Sequence, residues 1–200
     1  MKSRHPAARY AFMVTLILVA FSLPCPVSAD NSADIATLRE AADSLHGIGR
    51  TDSAAIVGQR VIELAEKTGN PTLIVGAHSS QGVYLRSLGE IDEALKNYES
   101  ALKIVTSGAF RQHPDQEAIE EIASLYINLA VLNLDMQHKG DAAKNAVNSA
   151  SWVSQSNDPE LKSMIYGVAG SVLTGCGDLD KAMKYQKLAY GNAIESGNDE

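Results

Sequence analysis

From about residue 33 onward, apolar residues recur at helical spacing. The clearest stretch places Ile91, Ala94, Leu95, Tyr98, Ala101, Leu102 and Val105 at i, i+3, i+4, i+7, i+10, i+11 and i+14, which makes one buried helix face. The pattern returns 88 residues later at Leu179, Ala182, Met183, Gln186, Ala189, Tyr190 and Ala193, with Gly89 matched by Gly177, and only Gln186 breaks it. An upstream copy, with Gly49 in the place of Gly89, runs through Ala54, Gly58, Val61 and Ile62. A weaker copy around Ala143, Ala146, Val147, Ala150 and Val153 fits two registers.

Three prolines punctuate this pattern at Asn70-Pro71, His113-Pro114 and Asp158-Pro159, 43 and 45 residues apart. Each reads as a helix start, because proline at the first helical position leaves no amide unpaired and a preceding Asn or Asp can cap the open N–H groups. Eight helices are predicted, near 33–46, 51–68, 71–88, 91–107, 115–137, 140–156, 159–175 and 178–196. No alternating period and no Asn-Gly turn argues for a strand, so the expected class is all-α.

At Gly82-x-x-Leu85, Gly89, Ala94, Tyr98 and Ala101 the chain resembles the tetratricopeptide repeat, a helix hairpin with small residues where the two helices touch. Gly170, Leu173, Gly177, Ala182 and Ala189 repeat that signature. The resemblance covers four units, near 33–68, 71–107, 115–156 and 159–196, and the long period is similar to the longer-hairpin variety found in exported bacterial regulators. It implies a right-handed α-solenoid with a concave groove lined by the first helix of each hairpin. Carried onto this chain, the groove-facing positions are Arg39, Asp43, Ser79, Val83, Arg86, Asn128, Val131 and Ser171. Of the family's clamp of Lys and Asn residues for a peptide carboxylate, only Asn128 has a match. Ser196-Gly197-Asn198 is similar to the linkers before new hairpins, so a chain continuing past residue 200 is the expectation.

Residues 1–29 change the picture of charge and location. Lys2, Arg4 and Arg9 precede the 14-residue apolar run Tyr10 to Leu23, which closes on Val27-Ser28-Ala29. This reads as a secretory signal peptide cleaved after Ala29, since the run is too short for a membrane span of about 20 residues. An uncleaved anchor is the alternative. Residues 30–200 then form the mature domain, exported to the periplasm or cell surface, with 14 basic against 24 acidic residues and a formal net charge of −10. Such a surface repels phosphate backbones and anionic lipid heads, so neither nucleic acid nor a membrane is expected as a partner. Cys25 leaves with the leader, and Cys176 has no internal partner for a disulfide.

Catalytic constellations are not found. There is no phosphate-cradling glycine loop, no His-Glu-x-x-His and no nucleophile elbow. His46, His78, His113 and His138 lack partners at zinc-ligand spacing. Glu117, Glu120 and Glu121 read as an acidic first turn favoured by the helix dipole. Trp152 reads as core or inter-hairpin packing, with an exposed binding anchor as the alternative. Cys176, between Gly175 and Gly177, reads as a small turn residue, with a cross-chain thiol as the alternative. Neither cofactor nor metal is expected. The function these features suggest is non-enzymatic binding of a protein or peptide, as the sensory part of a membrane-linked regulator of the histidine kinase or DNA-binding type. The alternative is a free-standing envelope scaffold that associates with itself, as a homodimer, through an uncapped end.

Overall fold

The computed structural model describes residues 31–110 and 114–197, and among these the chain is all-helical. The helices are α1 (Asn31–Gly47), α2 (Thr51–Thr68), α3 (Pro71–Ser87), α4 (Ile91–Thr106), α5 (Gln116–Asp135), α6 (Lys139–Val153), α7 (Pro159–Cys176) and α8 (Leu179–Ser196). The leader assigned to 1–29 and His113 lie outside the described residues.

Two of the three prolines begin helices as the capping chemistry predicts. Pro71 and Pro159 are first residues, with the Asn70 side chain accepting from Thr72 N and that of Asp158 from Glu160 N and Leu161 N. Pro114 does not. The helix starts two residues later, because Asp115 supplies the cap and accepts from Ala118 N at 2.8 Å. Glu117 is thus the acidic residue of that first turn, while Glu120 and Glu121 fall beyond it.

Inside each helix pair the turn needs one left-handed residue. Gly49, Gly89 and Gly177 take it with φ of 79°, 81° and 88°, and in the third pair Gln137 takes it with φ of 63°. The steps from Gly49 to Gly89 and from Gln137 to Gly177 are equal, and the step from Gly89 to Gln137 is longer. A glycine adopts this conformation freely, whereas a side chain with a Cβ is strained there by about 1 kcal/mol.

Within a pair the helices run antiparallel. Gly167 lies against Ala189 and Gly170 against Gln186, so numbering rises along α7 as it falls along α8, and Ser149 bonds Ala123 while Ser156, just past α6, bonds Glu120 in the same sense between α6 and α5. The odd-numbered helices run parallel to one another. Tyr84 bonds Asp43 and Arg39 bonds Ser80, both 41 residues apart, and Asn128 bonds Ser79 and Arg86 bonds Asp135, both 49 apart. Accordingly α3 touches α5 and α5 touches α7, beside the contacts each makes with its sequence neighbours.

The core follows this order. Val75, Leu85, Ala94, Tyr98 and Ala101 meet Leu125, Leu129 and Leu132 of α5, and an alanine-rich cluster joins α5 through α8. Alanine and glycine at these crossings let backbones approach, and the space goes to one large neighbour. Tyr98 fills the gap at Gly82, where any added Cβ would collide with its ring. Gln186, which breaks the apolar pattern, does the equivalent work in the last pair: it lies against Gly170 and donates to Gly167 O at 3.2 Å.

The expectation of a fully buried face on α8 is corrected. Ala182, Tyr185 and Ala189 are buried, but Leu179, Met183 and Tyr190 are exposed. Their counterparts on α4, Ile91, Leu95 and Leu102, are partly covered because α5 packs over that cluster.

Candidate functional site

The eight positions assigned to a groove all sit on odd-numbered helices, and five of them are already bonded to a neighbouring helix. The longest link starts at Arg39 on α1. Its guanidinium passes over α3 at Gly76 and forks onto the Glu121 carboxylate of α5, with Nη2 3.0 Å from Oε2 and Nη1 on Oε1. Gly76 makes the passage possible, since a Cβ there would lie 2.7 Å from Arg39 Nη1 and 2.8 Å from the Glu121 carboxylate. Arg39 Nε also donates to Ser80 Oγ at 3.3 Å. Burial alone would lower the Arg39 pKa; Glu121, followed by Asp43, outweighs it and holds the guanidinium more firmly protonated than usual.

Next to this pair, Tyr84 donates its hydroxyl to Asp43 Oδ1 at 2.5 Å. Burial first, and then the Asp43 carboxylate, push the phenol well above its ordinary range. Asn128 donates to Ser79 Oγ at 3.2 Å, and Ser79 is buried between the helices. Arg86 pairs with Asp135 at 2.8 Å. Val83 and Val131 are half-buried, and exposed Ser171 returns its hydroxyl to Gly167 O of its own helix at 3.0 Å. The two arginines suited to an acidic ligand are therefore already paired, Arg39 with the largely buried Glu121 and Arg86 with Asp135 at the surface.

Several partners in these links are not among the sequence-assigned positions. The sequence reads Glu121 and Glu120 as dipole residues. Glu121 instead anchors Arg39, and Glu120 accepts from Ser156 Oγ at 3.0 Å and from Gln116 at 2.8 Å. Asp135, Ser80 and Gly76 carry no signal, because a lone carboxylate or glycine in a helix gives no hint of a partner one or two hairpins away. Met164 is also missed. It is exposed, and it precedes Ser171 by two helical turns on α7, which places both on one helix face.

The remaining candidates resolve as packing. Trp152 and Cys176 lie against the α5–α8 cluster, and the Cys176 thiol reaches Lys139 O at 3.3 Å. His46 sits by the Tyr84 ring, centroids 5.5 Å apart, and contacts Thr51 Oγ1 at 3.1 Å. His138 precedes α6 as its cap residue without a side-chain bond. The repeat-signature residues Gly82, Ala94, Tyr98, Ala101, Gly170, Ala182 and Ala189 are buried at helix crossings, and Gly89 and Gly177 form turns. Among the described residues two buried polar atoms, Tyr98 Oη and Gln81 Oε1, have no hydrogen-bond partner. Burial holds the Tyr98 phenol protonated far into the alkaline range. Among the described residues no three His, Cys, Asp or Glu converge on a metal position, and no helix is long and apolar enough to cross a membrane.

No family model and no curated protein match this chain. Among solved structures it is similar to BtubC (BKLC) from P. vanneervenii, with a TM-score of 0.63 and 18% identity over 90% of this chain and 70% of that one. The likeness establishes a shared helical fold and reaches no further.

Proposed function

We propose that the chain is a non-enzymatic protein- or peptide-binding module of tetratricopeptide type, a right-handed α-solenoid of four hairpins exported to the periplasm or cell surface. The observation that carries this reading is the parallel set of odd-numbered helices tied side to side by Arg39–Glu121, Tyr84–Asp43, Asn128–Ser79 and Arg86–Asp135. A surface cross-braced in this way is preorganised: little further ordering is needed when a partner settles on it, so less binding energy is lost. Because both arginines are internally paired, recognition falls to Val83, Val131, Met164 and Ser171 together with the rims of the ion pairs. A partner matching that chemistry presents small apolar and hydroxyl groups rather than a carboxylate terminus.

The reading is tested by placing a photocrosslinking residue at Val131 or Ser171, with Glu99 on α4 as the control position, in the organism's own envelope fraction. The expected result is one common protein trapped at both groove positions and absent at Glu99. Equal capture at all three positions, or none, sinks it. Export is tested separately, by fusing residues 1–29 to a reporter enzyme active only outside the cytoplasm. Supplying the sensory arm of a membrane-linked regulator fits an exported binding module, and the trapped partner would decide it. A scaffold that associates with itself is the second reading, favoured by the exposed apolar side chains of α8.

A further inference from the structure

The two helices of each pair meet at a recurring place whose occupants change from pair to pair. Counted from the inner-turn residues, Leu38 and Val57 hold it in the first pair, His78 and Asn97 in the second, Tyr126 and Asn145 in the third, and Tyr166 and Tyr185 in the fourth. The fourth pair fills it by stacking two rings, with centroids 5.9 Å apart and planes 7° from parallel. Only the second pair places there a residue type that changes charge between about pH 5 and 8.

The surroundings of His78 decide which of its nitrogens carries the proton. Asn97 donates its Nδ2 to Glu93 O at 3.0 Å, so its Oδ1 is the atom turned to the ring, 3.0 Å from His78 Nδ1. An amide oxygen only accepts, and Nδ1 is therefore the donor. Nε2 keeps its lone pair in the neutral ring, and the group it faces, at 3.8 Å, is Glu66 Oε1 in the last turn of α2. Two acceptors meet there. The His78 side chain is only 14% exposed, whereas Glu66 at 59% has room to move inward. Among the described residues no other carboxylate lies within 4.0 Å of a His78 ring nitrogen. Glu93 on α4 is taken by Lys96 at 2.6 Å and Glu63 on α2 by Arg60 at 2.8 Å, while Lys67 beside Glu66 is exposed to solvent, which screens it. The α3 residues one turn away, Ile74, Val75, Gln81 and Gly82, carry no charge, and Arg39 of α1 and Glu121 of α5 meet α3 on its opposite face at Gly76 and Ser80.

We infer that His78 is a proton-operated latch between the first two hairpins. A proton taken from solvent onto Nε2 turns the meeting of two acceptors into a charge-assisted bond, which draws Glu66, and with it the end of α2, onto α3. The bond exists only while the ring is charged. Its stabilisation is therefore present on the acid side of the histidine range and lost as pH rises through it. Asn97 gives the device its direction. Were Nδ1 the bare nitrogen instead, an Nε2–H would satisfy Glu66 in the neutral ring, and acid would add little. The junction closed in this way is the one that Tyr84–Asp43 and Arg39–Ser80 also span, so acid stiffens the row that α1 and α3 form.

The test uses the whole chain with isotope-labelled histidine. In the neutral ring the nitrogen chemical shifts should place the proton of His78 on Nδ1. Amide hydrogen exchange, corrected for the intrinsic rate, then follows opening of the last turn of α2. The expected result is an opening constant about two- to fivefold smaller near pH 5 than near pH 8 in the natural chain, the range an exposed ion pair supplies. In Glu66→Gln that decrease should be absent. The substituted side chain is exposed, so an unchanged helical circular dichroism spectrum confirms folding. His46 and His138 are present in both chains, and the difference between the two isolates the His78–Glu66 contact. A proton on Nε2 in the neutral ring, or an acid response equal in the two chains, nil included, overturns the inference. Neither readout involves a groove partner, so the latch and the ligand-holding reading fail independently.

Discussion

A glycine and the side chain that fills its place act as one object, and the nature of the filler sets how much the site tolerates. At Gly82 the filler is the fully buried Tyr98 ring, wedged between α3, α4 and α5. At Gly170 it is the amide end of exposed Gln186, which can swing outward. Gly82→Ala should therefore cost about 1–3 kcal/mol by overpacking, while Gly170→Ala costs less than about 1 kcal/mol. Urea denaturation of the two variants checks the ordering, and equal losses would contradict it. Tyrosine ionisation gives a second measurement at this scale. An unfolded tyrosine titrates near pH 10, whereas Tyr84, buried and beside Asp43, holds its proton well above that. Its raised folded-state pKa means that its contribution is fully present below about pH 10 and is lost as pH climbs beyond it. The urea midpoint should fall on that alkaline side, and Tyr84→Phe should flatten part of the fall. A midpoint unchanged across that range would refute the assignment.

Among the elements, the third helix pair is the hardest to read. Its apolar stripe fits two registers because the landmark that fixes the other pairs, a glycine in the inner turn, is replaced there by Gln137 at φ 63°. The longer step from Gly89 to Gln137 shifts the count further. Gln137→Gly is predicted to stabilise the protein by up to about 1 kcal/mol, by relieving a left-handed residue that has a Cβ. A rise in melting temperature would show it, and a fall would mean that the side chain carries a contact worth more than the strain. Helix number, order and most boundaries were legible, because capping residues and the helical period act locally. The exposed stripe of α8 was not, since a repeating pattern states which face is apolar but not whether anything covers it. Nor were the partners of Arg39 and Arg86, set by parallel packing of helices far apart in sequence.

At the scale of the molecule, stacked repeats are commonly treated as a chain of units in which each feels only its neighbours. The Arg39–Glu121 pair departs from that description, since it joins the first hairpin to the third across Gly76 of the second. The coupling can be measured by hydrogen exchange. Arg39→Met should raise exchange in α5 around Glu121 by about 1–2 kcal/mol of opening free energy, because a largely buried carboxylate loses its partner. Loss of protection confined to α1 and α3 would refute the long-range link. If it holds, the hairpin is not the smallest interchangeable part of this protein. A unit inserted between the first and the third would carry the two charges out of reach, and deletion of the first would strand Glu121. Within the first three hairpins, then, repeats cannot be added or removed without loss, and length can vary freely only on the far side of α5.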